Sequence, residues 1–147
     1  MIERCQSFEH SGWLALRKSL WPGFPDSEHL AEMSLFLAEP ERFIQFVAYE
    51  RPRAPVAFVE ASLRHDYVNG TSTSPVVFLE GLYVAPASRR RGFARELVGA
   101  VAAWGKERGC TEFASDTPLH NELSQAVHKS LGFQEAERVV YFRKELL

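Results

Sequence analysis

Apolar residues recur along this chain with two periods, and the changes of period divide it into elements. Residues 2–8 read as a short first strand. Across residues 9–21, Trp13, Leu16 and Leu20 fall three and four apart, the spacing of an amphipathic helix. Pro22-Gly23-Phe24-Pro25 breaks it. Asp26 or Ser27 is placed to cap a second helix with Leu30, Met33 and Leu37 as its apolar face and Pro40 just beyond its end. Residues 42–49 and 56–65 read as strands joined by a turn at 51–55. The polar stretch 69–75 serves as a hairpin connection. It leads into 76–84, dense enough in apolar residues for a central strand covered on both faces. Glu80 interrupts that run. Pro86 ends it. Beyond the next loop, Ala94, Leu97, Val98, Val101 and Trp104 mark a helix stopped by Gly109. Residues 112–115 form a short strand. Asn121 caps a helix carrying Leu123, Val127 and Leu131, with Gly132 as its stop. Residues 139–142 supply a last strand. The expected order is β-α-α-β-β-β-α-β-α-β, an α/β (α+β) class with a mixed central sheet flanked by helices. A meander is followed by one βαβ crossover.

With 147 residues, one domain spanning 1–147 is expected, large enough to hold a core without disulfides or metal. Seventeen basic and nineteen acidic side chains leave a net charge of −2, which argues against a phosphate-tracking nucleic-acid binder. Cys5 and Cys110 are expected as buried free thiols, and no metal-ligand spacing surrounds them. The remaining histidines, His10, His29, His65 and His120, lack metal spacing too and read as surface or packing residues. The N-terminal residues carry Glu3, Arg4 and Glu9 without an apolar core, and no run approaches a membrane span. The expectation is a cytoplasmic protein of a reducing compartment.

One segment carries chemistry. After the strand ending at Val84 come a proline, then Arg89-Arg90-Arg91-Gly92-Phe93-Ala94-Arg95, then a helix. A helix N-terminus offers unpaired N–H groups and a positive dipole end. Gly92 permits close backbone approach and Ala94 leaves room, so a pyrophosphate fits without a metal. The other reading is a solvated basic loop with a glycine turn.

Val84-Ala85-Pro86 followed by Arg89 to Ala94 resembles the acetyl-coenzyme-A motif of the GCN5-related N-acetyltransferases. Leu131-Gly132-Phe133 resembles their second signature. More narrowly, Leu20-Trp21-Pro22, Arg64-His65-Asp66-Tyr67-Val68-Asn69-Gly70, Ser74-Pro75-Val76-Val77-Phe78-Leu79-Glu80-Gly81 and Ala114-Ser115-Asp116-Thr117 resemble the aminoglycoside 6′-N-acetyltransferases of that superfamily.

The resemblance implies acetyl transfer from acetyl-coenzyme A to the 6′-amine of a polycationic aminoglycoside, giving antibiotic resistance. It implies Arg89, Arg90, Arg91, Gly92, Phe93, Ala94, Arg95 and Asn121 as cofactor contacts, with backbone groups of Leu82, Tyr83 and Val84 along the acetyl and pantetheine arm. It implies Trp21, Phe24, Tyr67, Glu80, Asp116 and Glu137 as the acceptor side. Phe24 is a departure, because some relatives carry histidine there. Glu80 is the candidate general base, and His128, where many superfamily members carry tyrosine, the candidate acid. Each has a plainer reading. Glu80 and Asp116 could pair with arginines or cap backbone groups, Trp21 and Tyr67 could be core edges, and Glu137 could be a solvated charge. Asn121 could be only a helix cap, and His128 a packing residue. No serine or cysteine stands beside a base, so direct attack in a ternary complex is expected. Relatives pair C-terminal strands, which implies a homodimer. The competing readings are an acetyltransferase for another amine, such as a polyamine or a protein N-terminus, and a silent acyl-coenzyme-A sensor.

Overall fold

The computed structural model describes residues 1–10 and 12–147. Five strands make one sheet in chain order: β1 (Ile2–Arg4), β2 (Phe43–Tyr49), β3 (Pro55–Arg64), β4 (Val76–Val84) and β5 (Phe113–Ala114). The first four run antiparallel to their neighbours, and β5 lies parallel to β4. Among the described residues four α-helices accompany them: α1 (Trp13–Leu20), α2 (Asp26–Ala38), α3 (Phe93–Glu107) and α4 (Glu122–Ser130). The mixed sheet and its flanking helices are as the hydrophobic pattern indicates.

Alternation along the strands sorts side chains to two faces. Ile44 and Ala48 of β2 with Ala57, Val59, Ala61 and Leu63 of β3 pack under Leu97, Val101 and Trp104 of α3. Phe43, Val47, Tyr49 and Phe58 pack against Trp13 and Leu16 of α1 and Met33 and Phe36 of α2. Each fully buried side chain of this size contributes about 1.5–3 kcal/mol by leaving water.

A bulge in β4 sets the site. Glu60 pairs with Gly81 and Ala61 with Leu79, so Glu80 is the extra residue. Before it, Val77 and Leu79 face α3; after it, Leu82 and Val84 do, while Tyr83 turns to the α1–α2 side. The alternation changes phase at Glu80, as a bulge requires. Phe78, Glu80 and Gly81 therefore share the face carrying Ser62 and Arg64.

Several boundaries differ from expectation. The first strand stops at Arg4, because Cys5 N–H bonds to the Gln45 carbonyl and the Gln45 side chain takes the Cys5 carbonyl, after which a turn follows. The expected start of α1 at residue 9 spans Ser11, which lies outside the described residues; the helix begins at Trp13 behind Gly12, whose φ is 92°. Neither Asp26 nor Ser27 caps α2. Pro25 precedes it without a side-chain cap, and Asp26 pairs with Lys18 at 3.0 Å. The buried face of α2 is His29, Met33 and Phe36, while Leu30 is exposed. The cause is the polar partner set of His29: Arg17 Nε donates to its Nδ1 and its Nε2 donates to the Trp21 carbonyl, both at 3.2 Å.

The expected last strand at 139–142 does not form. Val139, Val140, Tyr141 and Phe142 are exposed, Phe142 at 92%. A strand exists only through pairing, and these residues join no ladder within one chain. Cys5 and Cys110 are buried free thiols. Burial pushes both thiols upward, Cys5 beyond the titratable range.

Candidate active site

α3 begins just behind Gly92, whose φ of 88° belongs to the left-handed region that glycine enters without strain. An added Cβ there meets nothing within 4 Å, so the space above the helix end is open. The N–H groups of the first turn lack helical partners and face that space with the positive end of the dipole. The four arginines are not equivalent. Arg91 pairs with Glu50, whose carboxyl is held below the usual carboxylate range by that hydrogen bond. Arg89 Nε donates to the Val84 carbonyl at 3.0 Å, and an Arg95 Nη donates to the Ser130 carbonyl at 2.9 Å. Arg90, with φ 64°, has no partner among the described residues. The carbonyl of Val84 is thus occupied from within, whereas Leu82 and Tyr83 remain half-buried along the strand edge.

That edge opens because β4 and β5 pair at Val77–Phe113 and Phe78–Ala114 and no further. Where parallel strands part at their carboxyl ends, an α/β sheet offers a cleft. A groove of about 1070 Å³ lies here. It is walled by Phe78, by Val98 and Ala102 of α3, and by Ser115, Asp116 and His128. Tyr67 and Glu137 also line it. A Cβ on Gly70 would come within 3.1 Å of Ala136 and 4.0 Å of Glu137, which places the C-terminal segment against the 65–75 loop. Glu112 organises that loop by accepting from Ser72 N–H at 2.9 Å, Thr73 N–H at 2.8 Å and the Thr73 hydroxyl, which hold its carboxyl below the usual range.

Of the acceptor-side candidates, Asp116 and Glu137 are exposed carboxylates on the groove, and Tyr67 is 75% exposed. Glu80 is not part of that wall. Its Oε1 accepts from Ser62 Oγ at 2.6 Å and from Arg64 at 2.9 Å. Arg64 lies 3.7 Å over the Phe78 ring and does line the groove, so it links Glu80 to the cluster. Trp21 is half-buried against Gly81 and edge-on to Phe58 at 6.0 Å, with the Arg17 guanidinium 5.0 Å from its ring. Phe24 is half-exposed and meets His29 edge-on at 6.2 Å. Asn121 caps α4, its Oδ1 accepting from Ser124 N–H at 3.1 Å.

Two features escaped sequence reasoning. The first is a buried polar core under Trp21. Arg17 donates to both Glu60 oxygens, and Trp13 Nε1 donates to Glu60 Oε2 at 2.9 Å. Burial pushes the Glu60 carboxyl upward and Arg17 opposes it. Its signal was the alternation Phe58-Glu60-Ser62-Arg64, a polar stripe on one face of β3. The second corrects the expectation that no serine stands beside a base. Ser115 Oγ lies 2.7 Å from His128 Nε2, and His128 Nδ1 donates to the Ser124 carbonyl at 2.7 Å. The two residues are thirteen apart, and the turn between β5 and α4 brings them together.

Among the described residues no cluster of three His, Cys, Asp or Glu could hold a metal, and no helix is long and apolar enough to cross a membrane. What the geometry defines is an open helix end that follows β4, a split parallel strand pair, and a groove beyond β5 that bears exposed carboxylates. Residues 13–133 match the acetyltransferase (GNAT) family, to which the chain belongs. It is similar to the aminoglycoside N(6′)-acetyltransferase type 1 of Serratia marcescens, 49% identical over 146 residues and 99% of both chains. It is similar to that of Salmonella typhimurium, 51% identical over 132 residues and 90% of both. Among solved structures it resembles AAC(6′)-Iy in complex with the bisubstrate analogue CoA-S-monomethyl-acetylneamine. That likeness has a TM-score of 0.92 at 46% identity, covering 99% of this chain and 98% of the other. It also resembles the 6′-N-acetyltransferase AAC(6′)-IG from Acinetobacter haemolyticus, with a TM-score of 0.92 at 48% identity over 99% of each.

Proposed function

We propose that this chain transfers acetyl from acetyl-coenzyme A to the 6′-amino group of aminoglycosides, as a single domain spanning residues 1–147 in the cytoplasm, and so gives resistance to these antibiotics. The observation that carries the reading is that the two strands which part, β4 and β5, lead into an open helix end behind Gly92 and into a carboxylate-bearing groove respectively. The open helix end at Gly92 receives phosphate oxygens on backbone N–H groups, with Arg90 free to add charge. On the groove, Asp116 and Glu137, and behind Arg64, Glu80, supply negative charge for ammonium groups.

The chain's residues divide the work as follows. On the free edge of β4 beyond Phe78, where alternate residues turn their backbone outward, a thioester carbonyl seated between the strands meets a backbone N–H able to stabilise its developing oxyanion. Asp116, Glu137 and Tyr67 orient a polycation, and Trp21 with Phe24 closes the α1–α2 side. The amine must lose a proton before it attacks, and Glu80 is the carboxylate positioned by Ser62 and Arg64 to take it, directly or through water. The exposed 139–142 segment pairs with a second copy, making a homodimer.

An amine panel tests the reading. With acetyl-coenzyme A, release of free thiol is expected with aminoglycosides bearing a 6′-amine. Faster turnover of a polyamine or a peptide N-terminus redirects the assignment to another acceptor, and binding of acetyl-coenzyme A without turnover of any amine makes the chain a sensor.

A further inference from the structure

Both nitrogens of His128 are committed inside the protein. A carbonyl only accepts, so the bond to the Ser124 carbonyl fixes the proton on Nδ1. Nε2 then faces Ser115 Oγ. The ring is further held edge-on to Phe133 at 5.4 Å, and Phe133 in turn packs edge-on against Phe113 of β5. No ring nitrogen is left to meet a substrate. Ser115, by contrast, is the first residue beyond β5, at the carboxyl end of the strand that parts from β4. It is half-buried on the wall of the groove that the apolar Val98 and Ala102 of α3 also line.

We propose that Ser115 is the catalytic residue that protonates the departing thiolate of coenzyme A, and that His128 is a positioning residue acting through it. The proposal rests on the acetyl-transfer reading above. In that reaction the amine nitrogen bonds to the thioester carbonyl carbon, the C–S bond breaks, and its electron pair goes to sulfur. The Ser115 hydroxyl gives its proton to sulfur while its oxygen takes one from protonated His128 Nε2. The ring is left neutral with its Nδ1 proton still on the Ser124 carbonyl, and water returns the second proton. The proton lost by the amine balances the one gained by sulfur. A histidine fixed at both nitrogens thereby reaches the cleft through a hydroxyl.

A positioned acid typically contributes on the order of 10²–10⁴-fold, and a thiolate leaves well unaided, so the expected effect lies at or below the low end of that range. Ser115→Ala should lower kcat about 10- to 100-fold, with KM for both substrates within about twofold, and Ser115→Thr should recover much of the rate. His128→Ala should slow the parent similarly yet add less than about twofold in the Ser115→Ala background, because the two act in one chain. A proximity probe is independent of rate. The Ser115→Cys thiol should form a mixed disulfide with oxidised coenzyme A, displacing one coenzyme-A thiolate, while buried Cys5 and Cys110 stay free by mass. Parent-like kcat in Ser115→Ala overturns the proposal, as does no mixed disulfide at saturating oxidised coenzyme A. Acetyl trapped on Ser115 also overturns it, since the serine is then a nucleophile. If the unmodified enzyme releases no thiol with any aminoglycoside, the functional reading has failed instead.

Discussion

Gly81 lies hard against the Trp21 indole: a Cβ on Gly81 would stand 2.5 Å from Cη2 and 2.9 Å from Cζ2 of that ring. The bulge at Glu80 turns Gly81 to this face, so the contact joins the α1–α2 turn to the strand bearing the candidate base. Arg17 and His29 hold Trp21 from beneath and through its carbonyl, and the ring cannot simply retreat.

Gly81→Ala is therefore expected to displace Trp21. Overpacking of this kind costs about 1–3 kcal/mol, a fall in Tm of roughly 2–4 °C per kcal/mol for a chain of this size. Indole emission should shift, and aminoglycoside KM should rise more than that for acetyl-coenzyme A. Unchanged Tm and emission would show that Trp21 does not bear on Gly81.

Gly92 tests the phosphate cradle. Gly92→Val puts a branched side chain into the open space and a strained φ at the helix start. Gly92→Asn tolerates the left-handed conformation and serves as the folded comparison. Both should weaken coenzyme-A binding by calorimetry, and thermal stabilisation by acetyl-coenzyme A should shrink in proportion. At a hundredfold excess over Kd the unmodified protein gains about 2.7 kcal/mol. Parent-like affinity in a folded Gly92→Asn variant removes the cradle from the account.

Asp116→Asn keeps volume and removes charge from the groove. Loss of a charge-assisted hydrogen bond costs about 1.5–3 kcal/mol, so aminoglycoside affinity should fall about 10- to 150-fold with coenzyme-A affinity unchanged. Binding to the parent should weaken as salt rises, because Asp116 and Glu137 are exposed. Equal affinity in parent and variant places the cation elsewhere.

The exposed run Val139-Val140-Tyr141-Phe142 is apolar and unpaired, a liability unless another chain covers it. Light scattering at working concentration should give twice the monomer mass, and Tyr141→Lys with Phe142→Lys should shift it toward the monomer. A monomer throughout contradicts the proposed dimer.

The central elements were legible because their signals are local. Pro86, Gly92 and Gly109 bracket α3, and Asn121 and Gly132 bracket α4, each by backbone geometry that one residue dictates. Glu80 stood out as a charge in an apolar strand. Pairing with an arginine was one of its two readings, and Arg64 bears it out; which arginine, and the Ser62 hydroxyl beside it, were not legible, because a bulge changes phase without leaving a mark in composition. The Ser115–His128 pair was equally hidden, since it depends on how a turn folds back. On α2, Met33 and Leu37 pack as expected, but His29 takes the place expected for Leu30, because a histidine with two buried partners behaves as a core residue. The missing last strand has a different cause: an apolar run in the sequence does not say which edge it pairs with, and residues 139–142 join no ladder here.

The most direct test of the account is the site of acetylation. Incubated with acetyl-coenzyme A and an aminoglycoside carrying amines on several rings, the protein should yield a mono-acetylated product, with the new amide located by NMR at the 6′ nitrogen. An analogue with a 6′-hydroxyl should give no such product. Acetylation at any other nitrogen, or none while another amine turns over, would contradict the account.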